Sequence, residues 1–172
     1  VSEKCINYTS IFDPVLCELM YMWFCTHGGH IFDPFAGGSV RGVVASELGY
    51  KYTGIELRKE QVEANIVNYK EICTNPEYAL CDSKCQYTVS DPIWICDDSN
   101  NMDQHVSNEF ADMVFTCPPY ADLEVYSDDE RDISNKKYDE FIELYTNILK
   151  KAATKLKNNR FFVLVIGEVR DK

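Results

Sequence analysis

Nowhere does this chain string together the roughly 20 apolar residues that a membrane-spanning helix needs, and no secretory leader is expected from its first residues. Basic residues are outnumbered: 17 Lys and Arg stand against 28 Asp and Glu, for a formal net charge of −11. That argues against a protein that coats nucleic acid through a generally basic surface, while a local nucleic-acid site stays compatible with it. Histidine is scarce, and His27, His30 and His105 do not stand at metal-ligand spacing from the closest cysteine pair, Cys81 and Cys85. No zinc site is therefore expected. Internal repeats, low-complexity tracts and linkers are missing as well. The eight cysteines have no secretory context and read as reduced thiols in a cytoplasmic protein.

What is present is an ordinary globular composition, 45% hydrophobic and 26% charged over 172 residues. One domain over residues 1–172 is expected, large enough to bury a sizeable core. The chain opens on Val1 and ends soon after an apolar run, which reads as a piece of a longer protein.

Five apolar runs alternate with helical patterns. Residues 12–26 place apolar side chains at helical spacing behind an Asp13 cap and Pro14 at the first helical position. A short strand around Ile31 and Phe32 then ends at Asp33. A helix follows the glycine loop and closes at Gly49, and a second strand runs to Glu56. The next helix carries Val62, Ile66 and Tyr69 on its apolar face. Periodicity fades from Cys73 to Asp91, which reads as an irregular excursion. A third strand over 92–96 leads to Asp97-Asp98-Ser99, and a fourth over 110–116 ends in a Pro-Pro loop. A long helix begins at Tyr138, and a fifth, fully buried strand is expected from Arg160. Apolar strands separated by helices predict an α/β fold: a three-layer, Rossmann-like core around a mainly parallel sheet. Such sheets bind ligands at the carboxyl ends of their strands, beside the topological switch point. The unusual polar and Gly/Pro clusters at Asp33, Glu56, Asp98 and Cys117 all fall at such ends.

Each cluster suggests chemistry. Gly37 and Gly38 in "DPFAGGS" allow close backbone approach to a ligand. The loop matches neither a dinucleotide fingerprint nor a P-loop, and Asp33 would repel a pyrophosphate and suit a cationic ligand. Glu56, at the end of the second strand, is placed to accept from ribose hydroxyls. Asp98-Ser99 could meet an adenine or ribose, or simply cap a helix. Together the three strand ends describe a nucleoside site with an acidic entrance, which suits the phosphate-free, sulfonium-bearing S-adenosylmethionine.

With those residues in hand, "DPFAGGS", "GIEL", "DDS" and "CPPY" resemble motifs I to IV of the S-adenosylmethionine-dependent DNA amino-methyltransferases, which methylate N6 of adenine or N4 of cytosine. The likeness extends over most of residues 11–172 and is close to methylases encoded by bacteriophages, some of which serve restriction-modification. "IFDPVLCELM" resembles motif X, with Phe12 as its cofactor contact. The resemblance implies that Asp33, Pro34, Phe35, Ala36 and Gly37 line the methionine and sulfonium end of S-adenosyl-L-methionine. It implies that Glu56 binds the ribose, that Leu57 lies beside the adenine, and that Asp98 and Ser99 close over it. Cys117, Pro118, Pro119 and Tyr120 would receive a base flipped out of DNA. The carbonyl of Pro118 would grip the target amine, and Tyr120 would stack on the base.

Three departures accompany the likeness. Cys117 stands where the family pattern has Asp, Asn or Ser, and a thiol is a weak acceptor. An acidic run, Asp122 to Asp132, follows the catalytic loop, while Lys150, Lys151, Lys155, Lys157 and Arg160 lead to the opposite edge of the sheet. A full methyltransferase sheet would continue past the fifth strand, and no target-recognition domain is seen. Three function classes therefore stay open: DNA base methylation, methylation of RNA or protein, and a non-catalytic cofactor-binding module serving a partner. A homodimer or a separate recognition subunit is the expected assembly.

Overall fold

A computed structural model describes residues 11–74, 90–120 and 126–167. Its elements are α1 (Pro14–Phe24), β1 (His30–Asp33), α2 (Val40–Glu47), β2 (Lys51–Glu56), α3 (Lys59–Thr74), β3 (Ile93–Cys96), β4 (Ala111–Thr116), α4 (Tyr138–Lys155) and β5 (Leu156–Leu164). Two 3₁₀ turns, Ser99–Gln104 and Ile133–Asn135, follow β3 and precede α4.

The local signals act as the residue types dictate. Asp13 accepts from the Val15 and Leu16 amides with one carboxylate oxygen, and Pro14 opens α1. Helix α2 ends because Gly49 adopts φ +77°. The Tyr50 amide then reaches back to the Ala45 carbonyl and the Gly49 amide to that of Ser46, the bonds of a Schellman motif.

The five strands form one sheet in the order β3-β2-β1-β4-β5, and every pairing is parallel. The chain steps outward from β1 through β2 to β3, then returns to the other side of β1 with β4. The switch point therefore lies between β1 and β4, and their carboxyl ends carry Asp33 and Thr116. Alternate strand residues feed two cores. Ile31, Met113 and Phe115 join Cys17, Tyr21, Val43, Val62 and Trp94 under α1, α2 and α3. Phe32, Ile55 and Val114 join Phe141, Ile148 and Ala152 under α4. This is the expected three-layer α/β architecture. Among the described residues no helix is long and apolar enough to cross a membrane.

The structure corrects the sequence reading in three places. Strand β5 begins at Leu156, directly after α4, rather than at Arg160. It is also not fully buried: it pairs with β4 alone among the described residues, and Phe161 is 53% exposed. A register shift between Ala111 and Met113, together with φ +56° at Asn159, lets the strand start straight out of the helix. On α3 the buried stripe is Val62, Asn65 and Tyr69, while Ile66 faces outward. The helix also takes in Cys73 and Thr74 from the stretch expected to be irregular; the rest of that stretch, residues 75–89, lies outside the described residues. The basic cluster does lie at the amino edge of the sheet, and four of its five members are paired, Lys151 with the Asn100 carbonyl and Asp103. Lys155, 2% exposed, bonds Asp103 and Asn108, and Lys157 and Arg160 both hold Asp112.

Two tryptophans contrast. Trp94 is buried between Gly42 and the rings of Tyr52 and Tyr69, and its indole N–H has no partner among the described residues. Trp23, on the outer face of α1, is 64% exposed.

Candidate active site

A cavity of about 490 Å³ opens across the carboxyl ends of β1, β2, β3 and β4, a size typical of small-molecule sites. Of the fourteen residues singled out from the sequence, all but Asp33 and Ala36 line it. Phe12 comes from the chain leading into α1, Pro34, Phe35 and Gly37 from the loop after β1, Glu56 and Leu57 from the end of β2, Asp98 and Ser99 from the end of β3. Cys117, Pro118, Pro119 and Tyr120 arrive from β4. Apart from Phe12, these clusters meet because each follows or ends a strand of one parallel sheet.

Asp33 is fully buried behind the loop, and this changes the electrostatic reading. Its Oδ1 accepts from the Phe35 amide at 3.1 Å and the Thr116 hydroxyl at 2.7 Å; its Oδ2 accepts from Arg41 Nε at 2.6 Å and the Tyr52 hydroxyl at 2.8 Å. Four donors, one of them the Arg41 guanidinium, occupy the carboxylate, so its charge is paired within the protein. Ala36 is likewise fully buried. Its amide donates to the Ile55 carbonyl, and that bond ties the loop to β2.

Arg41 is the partner that sequence reasoning missed. Beyond Asp33 it donates through Nη2 to the carbonyls of Phe35 and Ala36, at 2.6 and 2.9 Å. The Phe12 ring lies 4.7 Å from its guanidinium carbon, a cation–π distance. Burial works against the Arg41 charge, yet Asp33 outweighs it, and the guanidinium is held above its ordinary pKa. The signal was available: an arginine in the otherwise apolar and small "VRGVVAS", eight positions after an aspartate that ends a buried strand.

At the nucleoside end, Glu56 accepts from the Gly37 amide through Oε2 at 3.0 Å, and from the Arg58 amide and Nε through Oε1 at 2.9 and 3.3 Å. Asp98 caps the 3₁₀ turn through Oδ1, which takes the Asn100 amide at 2.8 Å and its side-chain amide at 3.0 Å. The capping alternative is thus realised, and Oδ2 accepts no hydrogen bond among the described residues. The Ser99 hydroxyl donates to the Pro34 carbonyl, joining the ends of β3 and β1.

At the other end, burial pushes the Cys117 thiol up; Asp33 adds to this, while Arg41 and a hydrogen bond with Tyr120 pull the other way without offsetting it. Cys117 is therefore a neutral thiol at neutral pH, which disfavours both a thiolate acceptor and a ready nucleophile. The Tyr120 hydroxyl accepts from the Gly167 amide at 2.8 Å, so the loop after β4 is tied to the chain after β5. The acidic run is in part used up locally. Asp129 grips Arg131 with both oxygens, and Asp132 holds Ser127 and Ser134. Asp122 and Glu124 lie outside the described residues.

The chain is similar in fold to solved methyltransferase structures. An rRNA methylase from Streptococcus thermophilus superposes with a TM-score of 0.56 at 11% identity, over 92% of this chain and 73% of that one. A proposed rRNA methylase from Clostridium thermocellum gives 0.60 at 15% identity, over 94% and 76%. SMU.1697c, a proposed methyltransferase from Streptococcus mutans in complex with SAH, gives 0.56 at 10%, over 90% and 73%. The chain spans only about half the length of several other structures of this fold, 48% in the case of YcgJ from Bacillus subtilis. No family model matches the chain, and no curated protein matches it.

Proposed function

We propose that this chain is an S-adenosylmethionine-dependent methyltransferase that modifies an exocyclic amine of a DNA base, N6 of adenine or N4 of cytosine. The observation that carries this reading is the convergence of Glu56, Asp98, the glycine loop and Cys117-Pro118-Pro119-Tyr120 on one cavity, within a fold shared with methyltransferases.

The donor set fits the cofactor. The Gly37 amide, which a phosphate-binding loop would offer to its ligand, is consumed by Glu56. The strand ends instead bring carboxylate acceptors: Glu56 Oε2 and Asp98 Oδ2 both keep lone pairs for hydroxyl or amino donors. Phe35, Ile55 and Leu57 supply apolar wall for a purine. Such a site accepts a nucleoside without phosphates. When bound, S-adenosylmethionine supplies an electrophilic methyl group on a positively charged sulfur.

The protein's part is to aim the target nitrogen. An exocyclic amine is a poor nucleophile because its lone pair is delocalised into the ring. The Pro118 carbonyl, which accepts no hydrogen bond among the described residues, is available to take one amine N–H and to stabilise the positive charge that grows on nitrogen. Pro118 and Pro119 hold that carbonyl without reorganisation. Tyr120, anchored at its hydroxyl by Gly167, offers its ring to the base, a contact worth about 1–3 kcal/mol. The neutral Cys117 thiol supplies bulk and only weak polarity.

RNA is the second reading, favoured by the likeness to rRNA methylases. One assay separates the two. The protein is incubated with S-adenosylmethionine carrying a tritiated methyl group and with DNA or RNA of mixed sequence, and the products are digested to nucleosides. Label in N6-methyldeoxyadenosine or N4-methyldeoxycytidine is expected. Label confined to RNA nucleosides would move the target to RNA, and no transfer to either polymer would overturn amine methylation of nucleic acid.

A further inference from the structure

Gly37 is held from both sides. Its φ is +52°, and a side chain built on it would meet nothing within 4 Å. Glycine is there for its backbone conformation rather than for room. The Gly37 amide donates to Glu56 Oε2 at 3.0 Å, and the Gly37 carbonyl accepts from Asn65 Nδ2 at 2.7 Å. Asn65 Oδ1 takes Gln61 Nε2 at 2.9 Å, Gln61 Oε1 takes Arg58 Nη2 at 3.1 Å, and Arg58 returns to Glu56 Oε1 through its amide and Nε. The bonds close a ring: Gly37, Glu56, Arg58, Gln61, Asn65, and Gly37 again.

The direction of every bond in this ring is forced. Arginine only donates and a carbonyl only accepts, so both amide side chains between them have one permitted orientation. Asn65 is completely buried on the apolar stripe of α3, between Val62 and Tyr69. A polar amide in that position is costly unless its bonds are made, and it does not line the cavity, whereas Gly37, Glu56, Arg58 and Gln61 do. The ring also divides the two oxygens of Glu56. Oε1 already takes two donors from Arg58; Oε2 takes one, from Gly37, and retains the lone pair.

We propose that Asn65 is a positioning residue for the cofactor's ribose: it fixes Gly37, Gly37 fixes Glu56 Oε2, and that oxygen receives a ribose hydroxyl. The assignment rests on the cavity being the S-adenosylmethionine site.

Calorimetric titration of the whole chain with S-adenosylhomocysteine tests it, using Asn65→Asp, which keeps the shape and removes the donor. Gln61→Met, at a half-buried position, breaks the ring without touching the core and guards against a folding defect in the first variant. Loss of one such bond predicts a Kd raised about tenfold in Asn65→Asp and raised in the same direction by Gln61→Met. The 2′,3′-dideoxy analogue of S-adenosylhomocysteine supplies the control. It lacks the hydroxyls, so its Kd should rise far less than that of the parent compound in both variants. Equal losses for the parent compound and the analogue, or a native Kd in both variants, would overturn the positioning role while leaving the cofactor site intact. Failure of the native protein to bind S-adenosylhomocysteine at all would instead overturn the reading of the cavity, and the ring's role with it.

Discussion

Arg41 and Asp33 together join four parts of the molecule: Phe12 ahead of α1, the loop after β1, Tyr52 of β2 and Thr116 of β4. An ion pair this deeply buried recovers its desolvation cost only through the additional hydrogen bonds, and removing one member leaves the other charged and unpaired. Arg41→Met is therefore expected to cost about 3–5 kcal/mol, measured by urea unfolding. Adding Asp33→Asn to the same chain should return part of that loss, because no orphaned charge remains. At this scale the sequence revealed which residues gather but not which way they face. Asp33 ends a strand, as Glu56 does, and position alone makes both look ligand-facing. The difference lies in Arg41, Tyr52 and Thr116, whose bonds to Asp33 come from three separate elements and leave no trace in the local pattern. Asn65 was hidden for a related reason. A single amide in an apolar stripe reads as an interruption until its partner, a glycine carbonyl 28 positions away, is seen.

Elements were legible where one residue type forces the backbone. Asp13-Pro14, Gly49 and Pro118-Pro119 mark ends that the structure places close to where the sequence does. Legibility failed at the passage from α4 to β5, which has neither proline nor glycine between helix and strand. Asn159 in a left-handed conformation and a shifted register do the work there, and neither has a local signature. Burial of β5 was over-read because a continuous apolar run looks the same in a central strand and in one paired on a single side. Helix α2 supplies a test in which local and tertiary effects oppose each other. By helix propensity alone, Gly42→Ala should stabilise by about 1 kcal/mol. Yet its new carbon would stand 2.5 Å from the Trp94 ring and 3.2 Å from Pro92, and overpacking of that kind costs about 1–3 kcal/mol. Packing wins on these magnitudes, so thermal unfolding of Gly42→Ala should show a lowered midpoint.

Across the whole molecule, acid acts in two stages. Burial, with Lys51 beside it, pushes His30 from 6.5 down to about 4, and its ring bonds Thr53. The unfolded chain binds that proton first, so stability falls as pH drops from about 6.5 towards 4. The second stage comes from carboxylates. The hydrogen bonds from His105 and Asn101 hold Asp97 below the usual range. Burial pushes Asp112 up, but Lys157, the His30 amide and Arg160 together outweigh it and hold it low. Their contributions are present above the ordinary carboxylate value of 3.8 and are lost as pH falls through their depressed values. A plot of unfolding midpoint against pH should therefore decline in two steps, and His30→Asn should abolish the upper one alone.

The two tryptophans give this chain an optical reporter that needs no label. Trp94 is buried, and its N–H has no partner among the described residues, so its fluorescence belongs at the blue end of indole emission. Trp23 already meets water, and its light hardly changes when the fold opens. The spectrum of the native protein is then the sum of a blue and a red component, and only the blue one follows the state of the β2–β3 side of the sheet.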